Sequence, residues 1–274
     1  MLIDTHCHLD ASEFQSDRLA VIQRAAERGV NAIVIPAVAV SNFDAVRELA
    51  HSFKGGAYAL GIHPICVPDA RESDLDELER RIQQSLDDPC FVAIGEIGLD
   101  FFLPRLKEPA MREKQERFYA VQLDLAERYQ LPLLLHVRRS QDILLKHLRP
   151  RRPLGGIAHA FNGSFQQAEQ FIQLGFALGL GGAMTFARAL QIRRLAAQLP
   201  MDALVLETDA PDIPPAWLGA PGQPAARNEP GEVAGIAQVL AELRGMTRED
   251  VVQASAANAR RVLPRLTAAL HAVS

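Results

Sequence analysis

The chain has 274 residues, 48% of them hydrophobic, so it can bury a sizeable core and has the length of one (β/α)8 barrel or of two smaller domains. Its formal net charge of −4 excludes a broadly basic nucleic-acid surface, though not an enzyme that grips a few phosphates with metals and local arginines. Three cysteines (Cys7, Cys66, Cys90), odd in number and far apart, fit reduced thiols in a cytoplasmic protein better than a disulfide framework.

In chain order, the first apolar run, residues 2–5, reads as a short buried strand that leads into His6 and His8. No basic-then-apolar leader precedes it, and no later stretch approaches the roughly 20 apolar residues of a membrane span. Side chains alternate along a strand, so both imidazoles share a face, and Cys7 points the other way as a small core residue. Further apolar runs at 32–38, 57–61, 91–96, 133–136, 156–159, 176–180 and 204–207 are bounded by Gly, Pro or polar residues and read as buried strands. Helical patterns fill the intervals at 18–28, 42–51, 166–174 and 188–199, with apolar stripes Leu75, Leu78, Ile82, Leu86 and Phe118, Val121, Leu125, Tyr129. Residues 209–230 are irregular and rich in proline, and two more helical patterns follow at 232–243 and 248–263. Eightfold strand–helix alternation predicts an α/β fold, a closed parallel (β/α)8 barrel of the TIM type with extra C-terminal helices. With no charge block or low-complexity linker, residues 1–274 read as one domain, and the proline-rich segment belongs at the barrel mouth.

Chemistry in such barrels sits at the C-terminal ends of the strands. His6, His8, Glu96, His136, His159 and Asp209 all fall at those ends, after strands one, four, five, six and eight. Each alone has an ordinary structural explanation: a hydrogen-bonded core histidine, an ion-paired strand end, an aspartate turning the chain. Six together at five strand ends point to metal. His51, His147 and His271 fall in helical stretches and read as surface residues. The donor set is nitrogen and oxygen without thiolate, which suits Mg, Mn, Zn or Co. Six ligands exceed one tetrahedral ion and suit two divalent ions, with Glu96 bridging, His6, His8 and Asp209 on one, and His136 and His159 on the other. Two ions about 3.5–4 Å apart can share and acidify a water, which makes hydrolysis the natural reaction, with Asp209 and Glu96 as catalytic carboxylates and Asp209 accepting the water's proton.

The ordered motifs Asp4-Thr5-His6-Cys7-His8-Leu9-Asp10, Gly61-Ile62-His63-Pro64, Gly95-Glu96-Ile97-Gly98-Leu99-Asp100, Leu135-His136-Val137-Arg138, His159-Ala160-Phe161 and Leu206-Glu207-Thr208-Asp209-Ala210-Pro211 carry a resemblance. With Arg227-Asn228-Glu229-Pro230 extending it, the chain resembles the TatD family of metal-dependent deoxyribonucleases, within the amidohydrolase-like superfamily. The resemblance implies a TIM-type barrel, a divalent metal site at the six residues above and DNA hydrolysis, often from the 3′ end. One departure is Asp212-Ile213, where many members carry an aromatic–leucine pair.

A phosphodiester substrate also needs positive groups near the metals. Arg138, two residues past His136, shares its face and can reach a phosphate bidentately, or can equally be a solvated residue opening the next helix. His63 ends the third strand at the mouth and is read as a phosphate contact in preference to a ligand, and Glu207 as a contact to a further metal or to the water network. Arg149, Arg151 and Arg152 read as a solvated patch on the far rim. DNA or another phosphodiester is thus the expected partner, with no membrane and no obligate protein partner. Two competing readings are a metal-dependent lactonase or amidohydrolase on the same scaffold, and a metal-binding or interaction protein that has lost catalysis. Glu96, where many such relatives place a modified lysine, leans toward the nuclease-like branch.

Overall fold

Strands buried on both faces need cover on both, and the chain supplies it by following nearly every strand with a helix. A computed structural model describes residues 1–219 and 226–272. Its eight strands are β1 (Leu2–Asp4), β2 (Val30–Pro36), β3 (Gly56–Leu60), β4 (Phe91–Asp100), β5 (Leu133–Arg138), β6 (Gly156–Ala158), β7 (Phe176–Leu180) and β8 (Leu204–Leu206). They form one parallel sheet in sequence order. The ring is closed by segments just past the first and last strands: the Thr5 amide donates to Leu206 O (3.1 Å), Asp209 N to His6 O (2.9 Å) and His8 N to Ala210 O (2.8 Å). The fold is a (β/α)8 barrel of the TIM type.

The helices are α1 (Arg18–Glu27), α2 (Phe43–His51), α3 (Glu72–Ser85), α4 (Pro109–Tyr129), α5 (Gln141–Leu148), α6 (Phe165–Gln173), α7 (Leu190–Gln198), α8 (Val233–Arg244), α9 (Arg248–Val262) and α10 (Leu266–Ala269). Local chemistry sets their ends. Pro109 opens α4 where its missing N–H costs nothing. The Ser164 hydroxyl accepts from Gln167 N at the start of α6, Thr247 does the same from Asp250 N at α9, and Gly245 ends α8 at φ 63°. The stripe Leu75, Leu78, Ile82 of α3 is buried, as are Phe118 and Leu125 of α4. No helix among the described residues is long and apolar enough to cross a membrane.

Two expectations are corrected. Strand four does not end at Glu96 but runs on to Asp100, because the pairing with β5 slips between Ile94↔Leu133 and Ile97↔Leu135, inserting an extra residue into β4. Glu96 therefore sits at a bulge inside the strand. His147 is half-buried rather than on the open surface, with Nε2 3.1 Å from Glu116 and its ring edge-on to Tyr119. The short α10 follows Pro264 and shows no periodicity from which to be read. Within residues 209–230, the described parts include 3-10 turns at Ala216–Leu218 and Pro230–Glu232, while Pro221 and Pro224 lie outside the described residues.

The barrel interior has an apolar lower layer. Ile3, Val34, Ala59, Leu134, Ile157 and Val205 form one apolar cluster that continues into Ala259, Val262 and Leu266 of α9 and α10. α9 and the residue that precedes α10 close the lower end by binding strand beginnings: Asn258 Nδ2 donates to Leu204 O (2.8 Å), and Arg265 Nε to Phe91 O (2.6 Å). The upper layer is where the polar residues sit.

Candidate metal centre

Strand alternation carries the apolar layer directly into the site. Two residues beyond Leu134 is His136, two beyond Ile157 is His159, and two beyond Val205 is Glu207, each on the same inward face as its apolar predecessor. Strand seven contributes no ligand at this level. It offers Gly179, where an added Cβ would lie 2.0 Å from Glu207 Oε2, so the glycine leaves the space that carboxylate occupies.

Glu96, 1% exposed, is the hub. Its Oε2 lies 3.0 Å from His6 Nε2 and 3.2 Å from His8 Nε2. Its Oε1 lies 2.8 Å from His136 Nδ1, 3.0 Å from His159 Nε2 and 3.2 Å from His63 Nε2. Asp209 Oδ1 stands 3.7 Å from both His6 Nε2 and His8 Nε2. The structure thus brings all six sequence-derived candidates into one cluster and adds His63 to it. Three overlapping groups of ligand atoms arise: His6–His8–Asp209, His6–Glu96–His159 and His63–Glu96–His136.

Partners behind the imidazoles fix which nitrogen faces inward. His136 turns Nδ1 to Glu96 and holds Nε2 3.3 Å from Asp100 Oδ2. His159 Nδ1 faces Glu207 Oε1 at 3.6 Å, and the same oxygen accepts from Ala160 N at 2.5 Å. Glu207 therefore sits behind His159, 1% exposed, at the base of the cavity over the cluster. His63 Nδ1 accepts the Ile65 backbone N–H (3.0 Å), so a neutral His63 carries its proton on Nε2 and aims a donor into the cluster. Asp100 was not singled out from the sequence, although alternation along β4 places it on the face of Glu96.

Asp209 is held in the left-handed region, φ 56°, as is Ala160 beside His159, φ 45°. Such residues cost about 1–3 kcal/mol each and persist where surroundings over-determine them. Around Asp209 the surroundings are Asn228, fully buried, whose Nδ2 donates to Thr208 O (2.8 Å), Asp212 O (2.8 Å) and Ile213 O (3.3 Å). Asn228 N also donates to Pro211 O (3.2 Å). No spacing rule would have found Asn228; only its place in the quoted C-terminal motif marks it.

Burial dominates the electrostatics. It pushes His6 down to about 3, helped by His159, and His63 down to about 4, so both are neutral, His63 with its one lone pair already taken by Ile65 N. Burial also works against a charge on His8, but the hydrogen bond and charge of Glu96 outweigh it and raise His8 to about 9. His136 and His159 are raised as well, burial being overcome by Asp100 and Glu96 for the first and by Glu96 and Asp209 for the second. The Glu96 carboxyl is held well below its usual range despite burial, by His63, His6 and His159, whereas burial together with Glu96 and Glu207 pushes Asp209 up.

A cavity of about 1330 Å³ opens above the cluster, with Arg138, Arg139, Phe102 and Gln191 on its walls. Arg138 is 45% exposed, its Nη1 3.6 Å from Asp100 Oδ2. Cys7 lies outside the cluster, fully buried with Sγ 3.7 Å from Ala210 O. The donors fit divalent ions. Five imidazoles and the carboxylates of Glu96 and Asp209 converge, and His6 Nε2 and His8 Nε2 come within 3.4 Å of each other.

A family model for TatD related DNases matches residues 3–264. The chain is 42% identical over 254 residues to an uncharacterized metal-dependent hydrolase, YjjV, of Escherichia coli K12, covering 92% of this chain and 93% of that one. The crystal structure of YjjV, described as a TatD homolog, superposes with a TM-score of 0.88 at 39% identity, covering 96% and 98% of the two chains. A human protein named deoxyribonuclease TATDN3 is 29% identical over 272 residues, 97% of this chain and 95% of its own. The chain belongs to the family of TatD-related DNases and is a metal-dependent hydrolase on a TIM-type barrel.

Proposed function

We propose that this hydrolase cleaves DNA phosphodiesters, shortening strands from the 3′ end, at two divalent ions that Glu96 and the residues around it would hold. His6, His8 and Asp209 would hold one ion, and His136 and His159 the other. The observation that carries this is the division of Glu96: one oxygen faces His6 and His8, the other His136 and His159. Bound ions would supply an acidified water and neutralise charge on the phosphoryl oxygens.

The chain's own residues do the rest. Asp209, raised toward neutrality and beside His8, accepts the proton of the attacking water. The His63 Nε2–H donates to a phosphoryl oxygen, because Ile65 N occupies its other nitrogen. Arg138 at the wall offers a second, charged donor to a phosphate. Asp100 and Glu207 orient His136 and His159. The free thiols Cys7, Cys66 and Cys90 support a cytoplasmic setting for the reaction.

The test is a reconstituted assay with Mg, Mn, Zn or Co on 3′- and 5′-labelled single- and double-stranded DNA, paired with metal analysis. Stepwise shortening from the 3′ end with close to two ions per chain is the expected result. Turnover of lactones or amides with DNA left intact would replace this reading with a small-molecule hydrolase. Bound metal without turnover of any of these would replace it with a binding role.

A further inference from the structure

Phe102 is one of six large hydrophobic side chains that stand exposed among the described residues, and it lies on the wall of the cavity over the metal centre. It is 38% exposed, although burying a phenyl ring is the ordinary outcome for a chain with this much core. Its position is fixed from below. Asp100 Oδ1 accepts both Phe102 N (2.7 Å) and Leu103 N (3.1 Å), which anchors the residue to the end of β4. The other oxygen of Asp100 reaches His136 Nε2 (3.3 Å) and Arg138 Nη1 (3.6 Å). One carboxylate thus touches the backbone that carries the ring, the arginine and the histidine of the cluster.

Two guanidiniums lie against the ring. Arg138 Cζ is 4.0 Å and Arg139 Cζ 4.7 Å from its centroid. Arg139 makes no side-chain hydrogen bond or ion pair among the described residues, so the ring is its contact at this wall. A flat aromatic surface flanked by planar cations, beside a site that takes a phosphate, matches a nucleotide: a base stacks on a ring or a guanidinium plane, and the adjacent phosphate meets the charge.

We infer that Phe102, with Arg139 lying against it, is a stacking subsite for the unpaired nucleobase next to the scissile phosphodiester. This deepens the nuclease reading and rests on it. Phe102 is a specificity residue here, not a catalytic one. Its chemistry is tolerant of base identity, because every base has a face to stack. It requires a base withdrawn from duplex stacking, so the subsite selects unpaired ends.

The test is a four-way cycle. Wild type and Phe102→Ala are each assayed on a single-stranded oligonucleotide and on the same oligonucleotide with one abasic residue placed beside the terminal phosphodiester, the abasic position being moved one residue at a time. Stacking predicts that Phe102→Ala lowers kcat/KM about ten- to hundredfold on the normal strand. Removing the base at one particular position in the wild type should cost the same, and both changes together no more than either alone. Phe102→Trp should recover the wild-type rate on the normal strand, which a loss of folding would not allow. Independent, multiplying losses at every abasic position would show that Phe102 only packs the rim and would overturn the inference. A wild type that leaves all the oligonucleotides intact in every metal would overturn the nuclease reading first, a result distinct from a cycle measured and found additive.

Discussion

The barrel carries a second cluster of metal-competent side chains, at its opposite end, and the two make an instructive pair. His51, Asp88 and Cys90 lie at the floor, where α2 ends and β4 begins, and their ligand atoms are as close together as those at the mouth. What differs is saturation. Asp88 accepts from Arg47 Nε (3.1 Å), Tyr58 OH (2.9 Å) and Cys90 N (2.9 Å), and His51 Nε2 lies 2.9 Å from it. Arg47 already supplies the cation. His51 spends both nitrogens on its neighbours, Nε2 on Asp88 and Nδ1 3.8 Å from Cys90 Sγ. At the mouth, nitrogens from four strand ends converge on a single carboxylate with no arginine or lysine on it. Proximity makes a cluster; donors converging beneath a cavity, with no protein cation among them, make a site.

The largest effects should come from the mouth. His6→Ala or His159→Ala is expected to lower bound metal and abolish turnover while the far-ultraviolet dichroism stays that of the wild type, since neither side chain supports the lower apolar layer. Full metal occupancy in both variants would erase the distinction drawn between the two ends. Asp209→Asn keeps an oxygen for weak coordination but loses the base, so partial metal retention with activity down by several orders of magnitude is expected. Calorimetric metal titration against activity separates the two outcomes.

Acidity should act on the same end. His8, His136 and His159 are raised above the ordinary histidine value, so at neutral pH the metal-free cluster holds protons that an incoming ion must displace. The sign follows: affinity for the ion rises with pH and falls on acidification, by about tenfold per pH unit for each proton displaced. Titrations at pH 6, 7 and 8 in two buffers of different ionisation enthalpy read both the slope and the protons released. An affinity flat in pH would mean the imidazoles are neutral before metal arrives.

Arg138 gives a smaller effect. Arg138→Ala removes a charge-assisted contact to a phosphate, worth about 1.5–3 kcal/mol, or roughly ten- to hundredfold in kcat/KM on DNA. A small neutral ester offers the guanidinium nothing to grip, and metal content should match the wild type. Equal losses on both substrates would make Arg138 a strut for Asp100 and Phe102, which it also touches.

Much of this was legible in the sequence, for a physical reason. Period-two alternation makes each strand report which residues line the barrel, and parallel topology puts every strand's last residues at one mouth, so His136 and His159 could be placed without coordinates. What could not be read are relations that obey no period. The bulge that moves Glu96 from a strand end into a strand depends on pairing with β5. Glu207 alternates with Val205 as expected, but its role is set by the room that Gly179 leaves on the neighbouring strand. Asn228 wraps a loop 15 to 20 residues earlier in the chain through bonds to backbone carbonyls, which carry no sequence signature. Phe102 and Arg139 meet only because β4 and β5 end side by side.

The smallest effect on activity belongs to the floor, and it sharpens the comparison most. Asp88→Asn replaces an acceptor of four donors with a group that presents N–H to some of them. Arg47 and His51 are well exposed and screened by solvent, so the buried Tyr58 hydroxyl and the Cys90 amide carry most of the loss, about 1–3 kcal/mol in all. For a chain of this size that lowers Tm by about 2–4 °C per kcal/mol. Burial alone would raise the Asp88 carboxyl, but His51, Cys90 N, Tyr58 and Arg47 hold it below its ordinary 3.8. A depressed carboxyl stabilises the fold above its unfolded value and loses that contribution as pH falls through the folded value. Wild type and Asp88→Asn should therefore differ in Tm at pH 7 and converge as pH drops below about 3.8, with metal content and kcat/KM per folded molecule unchanged at neutral pH. Loss of metal in Asp88→Asn would make the floor part of the site, and saturation by neighbours would no longer separate a structural hub from a ligand cluster.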